Sequence, residues 1–457
     1  METNFSPEQL KNPRIKEAEA IVRACVHCGL CTATCPSYLM LGDERDSPRG
    51  RIYLIKSMLE GTVTPKQVRP HLDRCLSCYS CMTTCPRGVD YMHLSDFARQ
   101  YIETAERRTP GDSLMRKVLR AILPHPGRFQ MALLAARAAL PFRTIIARTR
   151  FRTLAAMLEL APRTSGAHPK FAAPHTVKTA KARRGRVALL MGCAQKVLRP
   201  EINDSTVRFL NYLGYDVVLS DRVGCCGALP QHMGNEAEAK EMARQNIDAW
   251  HLQREHGPLD AIIINASGCG TTVKDYAHMF AHDSDHAGNY AAKAKFVSAL
   301  AKDIAEFAAE QVIEAPRGWS DIRVAYHSAC SMQHGQRVNE QPRQLLRNAG
   351  FTVVEIPEGH ICCGSAGTYN ILQPEIAAGL RQRKLASIDM VKPDCVAAGN
   401  IGCITQLSGG KLPVVHTVEL LDWAYGGPCP EPLKHLQSRV RHLPGVDETQ
   451  ETADAAA

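Results

Sequence analysis

Two stretches, RACVHCGLCTATCPSY (23–38) and HLDRCLSCYSCMTTCPRGV (71–89), decide how the first part of this chain folds. In both, the cysteines follow the spacing C-x2-C-x2-C-x3-C, and a proline comes directly after the last one. The first run is Cys25, Cys28, Cys31 and Cys35, and the second run is Cys75, Cys78, Cys81 and Cys85. Three thiolates at intervals of three residues can surround one face of a compact metal centre, and the proline directs the fourth away from it.

This spacing is typical of chains that bind two [4Fe–4S] clusters, in which the fourth cysteine of each run ligates the other cluster. We therefore expect a first set of ligands and a second set: Cys25, Cys28, Cys31 and Cys85 for cluster 1, and Cys75, Cys78, Cys81 and Cys35 for cluster 2. Disulfides are a poor alternative, because residues 1–20 are charged and lack the apolar core of a secretion signal. Zinc sites pair C-x2-C units and do not use triplets closed by Cys-Pro.

Length and composition set the class of protein. A chain of 457 residues with 45% apolar residues can form two or three domains with real cores. It has no run of 18 apolar residues, so no membrane-spanning helix is predicted. Eighteen cysteines in a chain without a secretion signal indicate metal binding or redox chemistry in the cytoplasm.

The net charge of +9 is concentrated in one segment. From Arg116 to Arg186 there are sixteen Lys or Arg residues and one acidic residue, Glu159. One interpretation is a set of helices that pack on the cluster domain with their arginines in solvent. The other is a surface that contacts an anionic membrane or partner. No nucleic-acid-binding motif accompanies the charge, so nucleic acid is not an expected partner.

Composition and periodicity divide the chain into five parts. They are a two-cluster ferredoxin-like domain (1–105), a basic helical spacer and linker (106–185), a first repeat (186–320), a second repeat (321–430) and a C-terminal tail (431–457). Apolar spacing predicts helices at Pro7–Ala24, Arg51–Glu60, His93–Glu106, Leu114–Leu123, Phe129–Ala139 and Leu154–Leu160. Ala167–Gly185 has the composition of a linker.

The second half of the chain contains an internal duplication. At an offset of 137 residues, Cys193 matches Cys330 and the pair Cys225-Cys226 matches Cys362-Cys363, each pair being followed by glycine. Cys269 matches Cys403 at an offset of 134. Such self-similarity indicates two copies of one structural unit.

Each copy alternates strands and helices. Strands are predicted at Arg186–Leu190, Asp216–Leu219, Ala261–Asn265, Arg323–His327, Thr352–Ile356 and Cys395–Ala398. Helices are predicted at Glu201–Leu213, Glu236–Glu255, Gln341–Ala349 and Pro374–Met390. This order favours parallel sheets. The predicted fold class is thus α/β with an α-rich N-terminal part, and the repeat cysteines follow the strand ends, where open α/β sheets place ligands.

The cysteines of the repeats have three candidate roles. Neighbouring cysteines seldom form a disulfide with each other, but they suit a metal cluster, and the following glycine lets the backbone approach closely. The alternatives are redox-active thiols and plain buried side chains. The candidate residues are Cys193, Cys225, Cys226 and Cys269 in the first repeat, and Cys330, Cys362, Cys363 and Cys403 in the second.

The Cys-Cys-Gly repeat resembles the cysteine-rich domain of heterodisulfide reductase and of several flavoenzyme partner subunits. The fullest form of that pattern ends in C-x2-C. Here Ala266 and Asn400 stand where the first cysteine of that element would precede Cys269 and Cys403. The fifth cysteine is absent from both copies, which argues against a cluster of the reductase type in each. The alternatives are a single further iron–sulfur cluster held by the four cysteines of one repeat, and a set of redox-active or structural thiols.

The order of these parts, together with LGDERDSPRGRIYLIK (41–56), resembles the iron–sulfur subunit family of glycolate oxidase (glycolate dehydrogenase). The resemblance implies a partner flavoprotein that holds FAD and oxidises glycolate to glyoxylate. This chain would pass the electrons to a quinone or another acceptor, from the cytoplasm or from the cytoplasmic face of the inner membrane. It would have no substrate site or catalytic residue of its own. The alternatives are an iron–sulfur subunit of lactate or glycerol-3-phosphate dehydrogenase, and a thiol/disulfide enzyme similar to heterodisulfide reductase.

Overall fold

A computed structural model of the chain describes residues 1–142, 169–283, 288–316 and 318–442. Its first part is helical. Eight α-helices precede the first gap: α1 (Pro13–Ala24), α2 (Pro36–Leu41), α3 (Pro48–Leu59), α4 (Pro65–Asp73), α5 (Ser80–Thr84), α6 (Tyr91–Ala105), α7 (Pro110–Ile122) and α8 (Pro126–Ala139). Helices α1, α3, α4 and α6 enclose a core that includes Val22, Ile55, Leu72 and Leu94.

Helix α1 begins six residues later than predicted. Pro13 occupies its first position, and the side chain of Asn12 accepts a hydrogen bond from the Arg14 amide at 3.0 Å. Proline has no amide hydrogen and clashes with the preceding turn inside a helix, but it fits the first turn. The predicted helix from Pro7 was therefore wrong at its start, and only a short 3-10 turn (Gln9–Lys11) precedes α1.

Two sheets follow. The first contains β1 (His175–Val177), β2 (Gly185–Leu190), β3 (Tyr215–Leu219), β4 (Ala261–Ile264) and β5 (Ala301–Asp303) in the order β1-β3-β2-β4-β5. The second contains β7 (Arg323–His327), β8 (Thr352–Glu355), β9 (Cys395–Ala398) and β10 (Val414–His416) in the order β10-β9-β7-β8. The second sheet is parallel throughout. In the first sheet β1 pairs antiparallel to β3, so that sheet is mixed, and part of the predicted linker is a strand.

Helices connect and cover these strands. They are α9 (Gln195–Leu198), α10 (Glu201–Tyr212), α11 (Ala228–His232), α12 (Glu236–Glu255), α13 (Ser267–Lys274), α14 (Tyr276–Met279), α15 (Tyr290–Leu300), α16 (Ile304–Ala309), α17 (Glu340–Asn348), α18 (Tyr369–Leu372), α19 (Pro374–Met390), α20 (Ile401–Leu407) and α21 (Thr417–Ala424). A π-helix covers Ser331–Gln336, and β6 (Gly318–Ser320) pairs with β11 (Val440–His442).

The two repeats share one hydrophobic core. Val187 and Ile263 of the first sheet belong to the same buried cluster as Val324 and Val396 of the second. Polar contacts cross the same boundary: the Ser267 amide donates to the Gly399 carbonyl oxygen at 3.1 Å. The duplicated units therefore fold against each other as one body.

The helical part lies across both repeats. Arg14 forms an ion pair with Glu236 of the first repeat at 2.6 Å, and the Tyr369 hydroxyl of the second repeat donates to the Arg74 carbonyl oxygen at 3.0 Å. Cys78 shares a small buried cluster with Ile361 and Cys362. This arrangement brings the cysteine runs next to the second repeat.

The described part of the basic spacer packs on its neighbours. Arg116 contacts Asp73 and Asp112, and Arg120 contacts Glu238 of the first repeat at 2.8 Å. We expected helices that pack on the cluster domain with their arginines in solvent. Helix α7 does pack there, but its arginines Arg116 and Arg120 are paired with acidic residues. The predicted helix Leu154–Leu160 lies outside the described residues. No helix among the described residues is long and apolar enough to cross a membrane.

Candidate metal centres

The first set of cysteines lines one cavity. Cys25, Cys28 and Cys31 lie around it together with Cys85, which comes from the other run. Gly29 has a φ of +84°, and a short 3-10 turn (Leu30–Thr32) follows it, so the chain curls tightly between the thiols. Cys28 is exposed and Cys25 is buried, so this site reaches the surface on one side.

The second set lies deeper. Cys78 and Cys81 are buried at 9% exposure, and Cys75 lies beside them at the end of α4. Cys35, from the first run, interacts electrostatically with both Cys78 and Cys81. The structure thus brings the fourth cysteine of each run next to the triplet of the other run. Cys81 also lines the cavity of the first set, so the two sites are neighbours.

Buried cations accompany the second set. The guanidinium of Arg51 is 1% exposed, and its Nη1 lies 3.8 Å from Cys35 Sγ. Burial alone would raise the pKa of the Cys75 thiol, but Arg51 and Arg99 outweigh burial and lower its pKa below the usual value. A lowered pKa favours the thiolate, which is the form that binds metal. Burial raises the pKa of Cys31 to about 11, although Arg49 lies in the same cavity.

The residues present fit two [4Fe–4S] clusters. Four thiols surround the cavity of the first set, and the four of the second set converge beside it. A cluster carries net negative charge with its thiolates, and buried arginines offset the cost of placing that charge away from water. When bound, such clusters accept and release single electrons.

The first repeat gathers its four cysteines at the carboxyl ends of its strands. Cys193 follows β2, Cys225 and Cys226 follow β3, and Cys269 lies on α13. Cys193 Sγ and Cys225 Sγ are 3.5 Å apart, and Cys226 interacts with Cys269. Cys193 and Cys225 also line a cavity of about 260 Å³ beneath the loop between α7 and α8.

The second repeat repeats this geometry. Cys330 Sγ and Cys362 Sγ are 3.6 Å apart, and Cys363 interacts with Cys403. Asn400 donates its side-chain amide to Cys403 Sγ at 3.5 Å. Cys330 and Cys362 also lie close enough to Cys78 to interact with it electrostatically, so this site adjoins the second set.

A glycine follows each Cys-Cys pair for a steric reason. Gly227 and Gly364 have φ values of +85° and +90°. A Cβ at either position would come within 2.8 Å of the Ala239 carbonyl oxygen or 2.6 Å of the Ala377 carbonyl oxygen. The backbone therefore approaches the next helix at a distance that only glycine permits.

One residue at these sites was missed by sequence reasoning. His327, at the end of β7, places a ring nitrogen within 4.8 Å of Cys363 Sγ and Cys403 Sγ. It is 2% exposed. The signal available in the sequence was its position three residues before Cys330, but a histidine at the end of a buried strand is not by itself diagnostic.

Family models match the segments that contain these cysteines. The 4Fe-4S dicluster domain family matches residues 21–89, which implies two [4Fe–4S] clusters, and the cysteine-rich domain family matches residues 187–274 and 324–408. A Helicobacter pylori hypothetical protein of known structure shares the fold, with a TM-score of 0.52 and 11% identity over 94% of this chain and 76% of that one.

Curated relatives are similar over almost the whole chain. The glycolate oxidase iron-sulfur subunit of Escherichia coli (strain K12) is 40% identical over 93% of this chain and 99% of its own length. The probable glycolate oxidase iron-sulfur subunit of Bacillus subtilis (strain 168) is 30% identical over the same shares. A lactate utilization protein A from Anoxybacillus flavithermus is 27% identical over only 52% of this chain. The chain belongs to the family of glycolate oxidase iron–sulfur subunits.

Proposed function

We propose that this chain is the electron-transfer subunit of a glycolate-oxidising complex. It would take electrons from the reduced FAD of a flavoprotein subunit and pass them to a quinone or another acceptor. The observation that carries this proposal is the adjacency of the two cysteine sets, one reaching the surface and the other buried against the second repeat. Two centres that exchange single electrons suit a flavin that releases its two electrons one at a time.

The ligand sets are part of the proposal. Cluster 1 is held by Cys25, Cys28, Cys31 and Cys85, and cluster 2 by Cys75, Cys78, Cys81 and Cys35. The position of Cys85 in the cavity of the first triplet and the interaction of Cys35 with the second triplet support this crossed arrangement.

The face around Cys28 is the proposed docking site of the flavoprotein. Val26, Leu30 and Tyr53 are 59%, 57% and 53% exposed, and the first two line the cavity of the first set. An exposed apolar group of this kind marks an interaction surface. It would bring a flavin close to the first cluster and exclude water from the contact.

Anaerobic rapid-mixing absorption spectroscopy tests the proposed function. The chain alone should show iron–sulfur absorption that glycolate does not bleach, and adding the flavoprotein subunit should allow glycolate to bleach it. L-lactate, tested in parallel, measures the substrate preference. Bleaching by lactate alone would reassign the substrate, and reduction of a disulfide by the isolated chain would favour the thiol enzyme.

A matched pair of variants tests the docking face. Leu30→Asp should slow electron transfer from the flavoprotein and leave the iron content unchanged. Val312→Asp is the control, because Val312 is 87% exposed and lies near the end of the first repeat, outside the cavity of the first set. Equal rates for Leu30→Asp and Val312→Asp would remove this face from the proposal.

The basic segment is proposed to hold the complex at the cytoplasmic face of a membrane, within reach of a quinone. Surface cations attract anionic lipids by about 1 kcal/mol each before salt screening. Arg143, Arg148, Arg150 and Arg152 lie outside the described residues, and changing them to Gln should abolish sedimentation with anionic liposomes. Binding that is absent in the wild type, or equal in both proteins, would leave only the packing role described for α7.

A further inference from the structure

His327 has the environment of a metal ligand. Neither of its ring nitrogens has a hydrogen-bond partner among the described residues, and the side chain is 2% exposed. Burying an imidazole without hydrogen-bond partners loses its bonds to water with nothing in exchange, so a buried unpaired histidine requires an explanation. The neighbouring thiols of Cys363 and Cys403 offer an explanation, because their sulfur atoms and a ring nitrogen of His327 all lie within 4.8 Å of one another, as the ligands of one metal would.

The two repeats differ at this position. At the offset that aligns Cys193 with Cys330, the buried Leu190 stands where His327 stands. Leucine has no donor atom, so the first repeat offers four sulfur atoms, whereas the second offers four sulfur atoms and an imidazole nitrogen. The position that carries the fifth cysteine in the fullest form of the pattern is occupied here by Asn400, which donates its side-chain amide to Cys403 Sγ.

A buried cation adds a second difference. Lys384 on α19 is 2% exposed, donates to the Glu358 carbonyl oxygen at 2.8 Å and interacts electrostatically with Cys330, Cys362 and Cys363. In the first repeat the residue seven positions after Ala239, the counterpart of Ala377, is the neutral Asn246. A buried positive charge offsets several thiolates, which is what a loaded metal centre in the second repeat would require.

We propose that His327 is a metal ligand together with Cys363 and Cys403, at the site in the second repeat where Cys330 and Cys362 also lie, and that the first repeat lacks this imidazole donor. Thiolate and imidazole donors select Zn²⁺ or iron. The two cubic clusters come from the proposed function, whereas the role of His327 rests on its own contacts. The site adjoins Cys78, so a redox-active metal there would lie next to cluster 2.

Metal analysis of the full-length chain, isolated without oxygen, tests the proposal. Two cubes account for about eight irons, four in each. The wild type should hold metal beyond this, either one zinc or additional iron, and the two outcomes distinguish the two kinds of centre. His327→Leu, which installs the residue found in the first repeat, should lose that extra metal and keep the eight irons.

Two further variants separate ligation from packing. His327→Cys supplies another soft donor and should retain the extra metal, although its volume differs. His334→Gln is the matched control: His334 is also buried in the second repeat, but its Nδ1 lies 2.7 Å from Thr83 Oγ1. Its variant should keep the full metal content.

The wild type gives an independent readout. If the extra metal is zinc, X-ray absorption should show a nitrogen ligand; if it is iron, pulsed EPR of protein labelled with ¹⁵N-histidine should show a nitrogen coupling. No metal beyond eight irons, an all-sulfur ligand shell, or a His327→Leu protein with the full metal content would each overturn the proposal. These results would leave glycolate-dependent bleaching of the cubic clusters unaffected, so the proposed function is tested separately.

Discussion

Arg51 shows how one side chain links the cysteine sites to the fold. Its guanidinium is 1% exposed, donates to the His71 carbonyl oxygen at 2.7 Å and to Ser37 Oγ at 2.9 Å, and lies 3.5 Å from the buried carboxylate of Asp46. The charge is therefore balanced by Asp46 on one side and by the thiols on the other.

Replacing Arg51 should destabilise the helical part strongly. Arg51→Gln removes a buried charge and its hydrogen bonds to the His71 carbonyl oxygen and Ser37 Oγ, while Asp46 keeps Arg74 and His71 as partners. Hydrogen bonds of a charged group contribute about 1.5–3 kcal/mol each, and we expect a loss of that order. The midpoint of urea unfolding measures the loss. Arg45→Gln is the control, because the Arg45–Asp43 pair is exposed on the arginine side and such pairs contribute about 0–1 kcal/mol. Equal midpoints for the two variants would contradict the role given to Arg51.

The crossed ligand sets give a second prediction for a single residue. Cys35→Ser should damage cluster 2, although Cys35 belongs to the first run, because its thiol lies with Cys78 and Cys81. EPR of the reduced protein separates the two clusters. Cys85→Ser is the reciprocal variant and should damage cluster 1. Damage to cluster 1 by Cys35→Ser would overturn the crossed arrangement.

At the scale of elements, the turn after each Cys-Cys pair determines how closely strand and helix approach. Gly364→Ala should destabilise the second repeat by clearly more than Gly367→Ala. Both positions have positive φ, which costs a non-glycine residue about 1–2 kcal/mol. Only Gly364 also brings a Cβ within 2.6 Å of a carbonyl oxygen, whereas Gly367 has open space. Urea unfolding of the two variants compares the costs, and equal values would show that the close approach is relieved by movement of α19.

Strands and helices with a clear periodicity of apolar residues were predictable from the sequence. Short elements that exist only through contacts with distant residues were not. Helix α12 and strand β7 match their predicted bounds, because each has a clear apolar period and defined ends. Strand β1 has only three residues, His175–Val177, in a stretch of linker composition, and it exists through its pairing with β3. The cysteines were found by spacing, whereas His327 is recognised only once folding places it beside Cys363 and Cys403.

At the scale of the whole molecule, a histidine pair joins the helical part to the first repeat. His93 Nδ1 lies 2.6 Å from Asp90 and its Nε2 lies 2.9 Å from Asp275, while its ring stacks on His278 with centroids 3.4 Å apart. Glu17 contacts the other side of the pair through His278. Burial alone would lower the pKa of His93, but the hydrogen bonds to Asp275 and Asp90 outweigh it and raise the pKa to about 10.

This pKa predicts how stability depends on pH. A histidine whose pKa is raised on folding contributes stability that is fully present below its ordinary value near 6.5 and is lost as the pH rises through about 10. The difference in unfolding free energy between the wild type and His93→Gln should therefore be largest at pH 6 and shrink toward pH 10. The exposed His256→Gln is the control and should show no such trend. A difference that does not change with pH would mean that His93 acts through packing alone.

The burial of Cys78 predicts an order of events in the maturation of the protein. In the folded chain Leu76 and Cys78 are enclosed with Ile361, Cys362 and Tyr369 of the second repeat, and the two residues are 5% and 9% exposed. We therefore expect the cluster at Cys78 to be inserted while the newly made chain is still open, before residues some 280 positions downstream close over it. We expect the proposed cluster 1, with Cys28 at the surface, to be rebuilt after oxidative damage in the finished protein more readily than the proposed cluster 2, whose ligand Cys78 is buried.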